Sequence, residues 1–122
     1  MLRQSLASIA ATLLLATAAQ AGDAAQGKVV FQRCAICHRV DKGGGNGLGP
    51  NLFGVVNRKA GTVAGFSYSA ALKSSGLTWT TDKLTQWVAH PAALVPGNRM
   101  AFAGLNNPQQ QADVVAYLQT LK

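Results

Sequence analysis

Acidic side chains are scarce in this 122-residue chain: four Asp and Glu stand against eleven Lys and Arg, and charged residues together make up 12%. So little charge excludes both a charge-rich disordered tail and an acidic solvating segment. Cysteine is as sparse, two residues allowing at most one disulfide, which excludes the disulfide-dense scaffolds that stabilise many small exported domains. The length permits at most one domain of ordinary size and leaves little room for a large enzyme. What is abundant is glycine, 13 residues, as a small loop-rich globule requires. Something other than disulfides must hold it together.

Long apolar runs are also missing after residue 21. Before it, Arg3 is the only charge, and Leu6 to Ala19 is a 14-residue stretch of mostly Ala, Leu, Ile and Thr, followed by the small-x-small triplet Ala19-Gln20-Ala21. This is the pattern of a signal peptide, and 14 residues fall short of the ~20 that span a bilayer. The reading is residues 1–21 as a signal peptide cleaved after Ala21 and residues 22–122 as one domain, with no stable membrane insertion after cleavage. In a bacterium that domain is periplasmic. Loss of Arg3 leaves ten basic and four acidic residues, a formal +6, a balance that suits an acidic protein face or an anionic surface. Nucleic acid is disfavoured by export, by the scatter of the basic residues and by the lack of an aromatic stacking platform.

Four stretches read as helix and none as a strand pair. Asp23 caps a first helix that carries Gly27, Val30, Phe31 and Cys34 at three-to-four spacing. Lys42 to Asn51 holds five glycines and Pro50 and must be a loop. A short helix is expected from Ser67 or Tyr68 to Ser75, stopped by Gly76. Another begins near Thr80 or Thr81, presents Leu84, Trp87 and Val88, and halts before Pro91. The last is capped by Asn107, starts at Pro108 and carries Val114, Tyr117, Leu118 and Leu121 as a stripe. The result is an all-α domain with loops long enough to need a ligand to fill the gaps.

Cys34-Ala35-Ile36-Cys37-His38 is a C-x-x-C-H sequence, the signature of covalent haem attachment. Two thiols three positions apart on one turn reach the two vinyl groups of a porphyrin edge, and the next residue, His38, is held with its imidazole toward the iron. A thioredoxin-like C-x-x-C would follow a strand in a βαβ unit, a zinc site would need four ligands at other spacings, and a plain disulfide would stabilise little. For the second axial position, Met100 is the only methionine after residue 21 and lies in the turn-rich Pro96-Gly97-Asn98-Arg99-Met100. His90 is the rival, although its place before Pro91 at a helix end suits a surface cap.

These residues, with Gly49-Pro50-Asn51-Leu52-Phe53-Gly54, Asn57-Arg58-Lys59, Gly65-Phe66-Ser67-Tyr68-Ser69, Gly76-Leu77-Thr78-Trp79 and Pro96 to Phe102, make the sequence resemble the class I cytochromes c, close to the mitochondrial carrier and its soluble bacterial periplasmic relatives. The resemblance spans nearly all of residues 22–122 and implies four to five short helices and long loops wrapped around one haem c, bound through Cys34 and Cys37. It implies that His38 and Met100 ligate the iron and that the Pro50 carbonyl orients His38. Arg58, Tyr68 and Trp79 would hold a buried propionate, and Phe102 would pack on the haem face. Gly27 and Phe31 would meet Tyr117 and Leu118 where the terminal helices cross. Two positions depart from the mitochondrial pattern: Trp87 stands for a tyrosine and Leu72 for an asparagine, which thins an internal hydrogen-bond network. The lysine ring of those relatives is thin too, with Arg33 and Arg99 kept but Ala92, Ala93 and Asn106-Asn107-Pro108 uncharged.

The expected function is a monomeric periplasmic one-electron carrier, not an enzyme, serving redox complexes such as a quinol–cytochrome c oxidoreductase or a terminal oxidase. One rival is a dedicated cytochrome subunit of a periplasmic oxidoreductase, which an exposed apolar patch at Ala92, Ala93, Leu94 and Val95 would favour. The other is a ligand-binding or peroxidatic haem protein, against which Met100 argues.

Overall fold

The computed structural model describes residues 7–12 and 21–122; residues 1–6 and 13–20, most of the expected signal peptide, lie outside them. Five helices are described: α1 (Ala24–Val30), α2 (Ala70–Lys73), α3 (Thr81–Ala89), α4 (Pro91–Leu94) and α5 (Pro108–Gln119). A 3₁₀ turn, Phe31–Arg33, continues α1. The described residues contain no strand, only an isolated antiparallel bridge between Lys59 and Thr78. The chain is all-α, as its sequence implies.

Short polar side chains start four of these helices, all but α4, by satisfying amides that have no partner within the helix. Asp23 accepts from the Ala25 and Gln26 N–H groups, Ser69 from Leu72, Thr80 from Lys83, and Asn107 from Gln109 and Gln110. One expectation needs correction. The helix expected to run from Ser67 or Tyr68 to Ser75 is only Ala70–Lys73: Ser69 is its cap, and the Ser75 hydroxyl takes the Leu72 carbonyl at 2.7 Å, ending the ladder. Gly76 follows with φ 69°, the left-handed stop expected. Pro91 does end α3, yet it also opens α4, because proline is tolerated in a first turn. His90 makes the break between them at φ −161°, ψ 86°.

α1 crosses α5 at Gly27. A Cβ there would run into the backbone of Asp113 and the Tyr117 side chain, so only glycine lets the two backbones approach this closely. Phe31 meets Tyr117 beside it, ring centroids 5.2 Å apart and inclined at 51°. Behind the crossing, Leu84 and Val88 of α3 pack with Val114 and Leu118 of α5, Val55, Trp79 and Leu105. Gly104, at φ 123°, passes against the Ala89 carbonyl, which brings the Leu105 N–H to the Val88 carbonyl at 2.7 Å. The helices thus form one side of a shell whose other side is the two long loops, 38–69 and 95–106.

Candidate cofactor site

Between helices and loops lies a cavity of about 480 Å³, within the ~300–1,000 Å³ of pockets that bury a small molecule. The turn after α1 builds one wall. Cys34 N–H bonds the Phe31 carbonyl at 2.7 Å, Cys37 N–H bonds the Cys34 carbonyl at 3.0 Å, and His38 N–H bonds that same carbonyl at 2.9 Å. Both cysteines and the histidine are thereby fixed on one turn, and all three line the cavity. The cysteines are unpaired and partly buried. Burial raises the Cys34 thiol above its ordinary value, Arg33 opposing and Cys37 adding to it, so it is kept protonated and is not the exposed, activated thiolate of a redox motif. With no strand and no convergence of three His, Cys, Asp or Glu side chains among the described residues, neither the thioredoxin nor the zinc alternative fits.

His38 is oriented by the loop it faces. Its Nδ1 lies 2.7 Å from the Pro50 carbonyl oxygen; since a carbonyl only accepts, Nδ1 carries the proton and Nε2 keeps its lone pair. Burial lowers the pKa of His38, the Pro50 bond opposes this, and Arg58 lowers it further, so the ring is neutral, as a metal ligand must be. The loop comes this close because of Gly49, where a Cβ would strike the imidazole. Gly49 N–H in turn bonds the Cys37 carbonyl at 2.9 Å. Asn51 holds the rest of the loop through its side-chain amide, which donates to the carbonyls of Asp41, Gly44 and Gly45. Asn46 closes it by accepting from Asn51 N–H at 2.9 Å and donating to Ala64 at 3.1 Å.

Met100, Phe102 and Arg99 line the same cavity from the second loop; His90 does not and is exposed. Of the two candidate sixth ligands, the fold brings only Met100 to the site. Gly97 turns the chain at φ 87°. Asn98 then clamps it, donating to the Val95 carbonyl at 3.0 Å and accepting from the Met100 N–H at 2.9 Å. Nothing in the sequence singled out Asn98 or Asn46 for these roles; an asparagine between glycine and a ligand candidate, or inside a glycine-rich loop, is the signal that was there to read.

Arg58, Tyr68 and Trp79 also line the cavity. The Arg58 guanidinium donates to the Asn51 carbonyl at 3.1 Å and the Phe53 carbonyl at 3.2 Å. Burial lowers its pKa and Tyr68 raises it, without threatening its charge at neutral pH. The Tyr68 oxygen accepts from the Val63 N–H at 3.0 Å, leaving its own proton to donate. Trp79 is buried against Trp87, centroids 5.1 Å apart. Trp87 and Leu72, the two departures noted above, both face the cavity and present it with an indole and an alkyl group.

A porphyrin fits these residues. The cavity offers two thiols for its edge, a neutral imidazole with a free nitrogen and a thioether for its metal, the half-buried cation of Arg58 for carboxylates, and apolar walls for the ring. The architecture is that of a class I cytochrome c. The family model described as cytochrome c matches residues 24–122. Cytochrome c2 of Rhodomicrobium vannielii is 48% identical over 111 residues, 91% of this chain and 89% of that one. Among solved structures, cytochrome cH from Methylobacterium extorquens superposes with a TM-score of 0.77 at 47% identity, covering 81% of this chain and 99% of its own. Cytochrome c2 from Rhodospirillum centenum gives 0.79 at 36% identity, covering 83% and 99%. The chain belongs to the cytochrome c family. It carries haem c, attached through Cys34 and Cys37, and is an electron carrier, not an enzyme.

Proposed function

We propose that residues 1–21 are removed after export and that residues 22–122 form a periplasmic one-electron carrier, its haem iron held by His38 Nε2 and the Met100 sulfur. It moves electrons between respiratory or photosynthetic complexes such as a quinol–cytochrome c oxidoreductase and a terminal oxidase. The observation that carries this is the pairing, on one cavity, of a histidine whose Nε2 is left free by Pro50 and a methionine whose loop is clamped by Asn98.

The bound haem supplies a one-electron couple at its iron. The protein supplies the rest. Thioether ligation and burial both favour the reduced, less charged centre and raise the potential. Trp79, Trp87, Leu72 and Phe102 keep water from the cavity walls. Arg58 and the free proton of Tyr68, both on the cavity wall, would compensate the charge of haem propionates buried there.

The dedicated-subunit reading loses its main support. Of the segment whose exposure would have favoured it, Val95 is 5% exposed and Leu94 half-buried, which leaves two alanines. The test is native purification from a periplasmic extract. A monomer on gel filtration that accepts electrons from a purified quinol–cytochrome c oxidoreductase and delivers them to a purified terminal oxidase is expected. Co-elution with one larger catalytic chain that resists high salt would overturn the free-carrier reading.

A further inference from the structure

Asp113 is the one buried aspartate, 6% exposed in the middle of α5, and it takes no part in the cofactor cavity. Its Oδ1 accepts from the Asp23 backbone N–H at 2.8 Å and from the Gln109 side-chain amide at 2.8 Å. Both donors are neutral, poor compensation for a carboxylate withdrawn from water. Gly22 sits on the same surface of α5: a Cβ there would meet the Ala112 carbonyl and the Ala116 methyl. Gln109 also donates to the Ala21 carbonyl at 3.3 Å. Backbone dimensions keep consecutive nitrogens within about 3.7 Å, so with the 2.8 Å bond from Asp23 the Gly22 nitrogen is at most about 6.5 Å from the Asp113 carboxylate.

We infer that the Asp113 carboxylate, steadied by the Gln109 amide that donates to it, and the carbonyls of the α5 backbone form a receiving site for a primary ammonium, and that its occupant is the α-amino group created at Gly22 when residues 1–21 are removed. The occupant, though not the site, rests on the processing reading given above. Hydrolysis breaks the Ala21–Gly22 amide; the oxygen of water goes to the Ala21 carbonyl carbon, which leaves as a carboxylate, and Gly22 becomes an ammonium with three donors. A neutral amide is thus replaced by a cation within reach of the buried carboxylate. The charged groups facing it are Asp113 from α5 and the carboxylate of Asp23 at the start of α1; the α1 amides that disfavour a cation are already capped by Asp23. Processing therefore completes the crossing of the terminal helices, and the unprocessed chain holds Asp113 without a cation.

A double-mutant cycle on haem-loaded protein tests this. One protein starts at Gly22 and a second carries Gly-Ser ahead of Gly22, each with Asp113 and with Asp113→Asn. Guanidinium unfolding at pH 7 is expected to show the extension lowering the folding equilibrium constant roughly three- to tenfold with Asp113, and by no measurable amount with Asp113→Asn. A cation gaining a partner has its folded pKa raised, so the advantage of the Gly22 start is full below about pH 7.7 and fades as pH rises through the folded value above about 8. Equal stability of the two starts, or the same deficit in both backgrounds, overturns the inference. If Asp113→Asn does not fold, the pH series decides alone, and a deficit independent of pH overturns it. N-terminal sequencing of natively produced protein tests processing separately: a start other than Gly22 overturns that reading, while the cycle still decides the site.

Discussion

At the scale of single residues, the site is shaped by groups that are not themselves ligand candidates. The Pro50 carbonyl chooses the His38 tautomer, and Asn98 fixes the backbone of the other ligand candidate through two bonds. Removing such supporting partners typically costs ~10–100-fold in ligand affinity. Asn98→Ala is therefore expected to let added imidazole displace Met100 at roughly tenfold lower concentration, read from the ferric absorption spectrum; an unchanged imidazole titration would show that the clamp is idle. His38 gives a pH prediction. Its folded pKa is lowered, so below the ordinary value of ~6.5 the unfolded chain takes up a proton that the folded one does not. Stability is complete above ~6.5 and falls as pH drops through that window toward the lowered value. Guanidinium midpoints between about pH 7 and 5 should fall with acid, and midpoints flat over that range would contradict the assignment of a neutral, buried His38.

At the scale of elements, the crossing of α1 and α5 is set by one glycine. Gly27→Ala places a methyl against the Asp113 backbone, which cannot yield, and should destabilise by at least ~1–3 kcal/mol. Val29→Ala, on the exposed side of the same helix, should stay within ~0.5 kcal/mol; equal losses in chemical unfolding would mean that the crossing does not depend on Gly27. Helix starts were legible in the sequence because Asp23, Thr80 and Asn107 cap by local chemistry that needs no tertiary context. The ends were less so. Ser75 ends α2 with a side-chain bond to Leu72, and Pro91 both stops α3 and starts α4; a one-dimensional pattern does not decide between such competing uses. The cofactor site was legible for a different reason: Cys34, Cys37 and His38 share one turn, so spacing alone positions them. The residues that aim the ligand candidates, Asn46, Asn51 and Asn98, work through backbone groups five or more positions away or in folded-back turns, which only the three-dimensional path of the loops reveals.

At the scale of the whole molecule, charge is distributed unevenly. Arg33 and Arg99 are exposed and border the cavity together with Arg58 and Lys59, and none of the four aspartates does. Exposed Leu48 borders the same opening, with Ile36 beside Cys37. A mouth with few cations and some apolar surface should steer an acidic partner weakly. Stopped-flow oxidation of the reduced protein by a terminal oxidase should slow modestly from about 0.01 to 0.15 M ionic strength, and a rate independent of salt would contradict steering through this face. The proposed carrier depends above all on a covalent haem whose iron is held by His38 and Met100. The sulfur-to-iron charge-transfer band of the ferric protein tests it most directly. The band is expected in the native protein, absent in Met100→Ala and unchanged in His90→Ala. A native protein without the band, or one whose low-spin spectrum is lost with His90→Ala and kept with Met100→Ala, would contradict it.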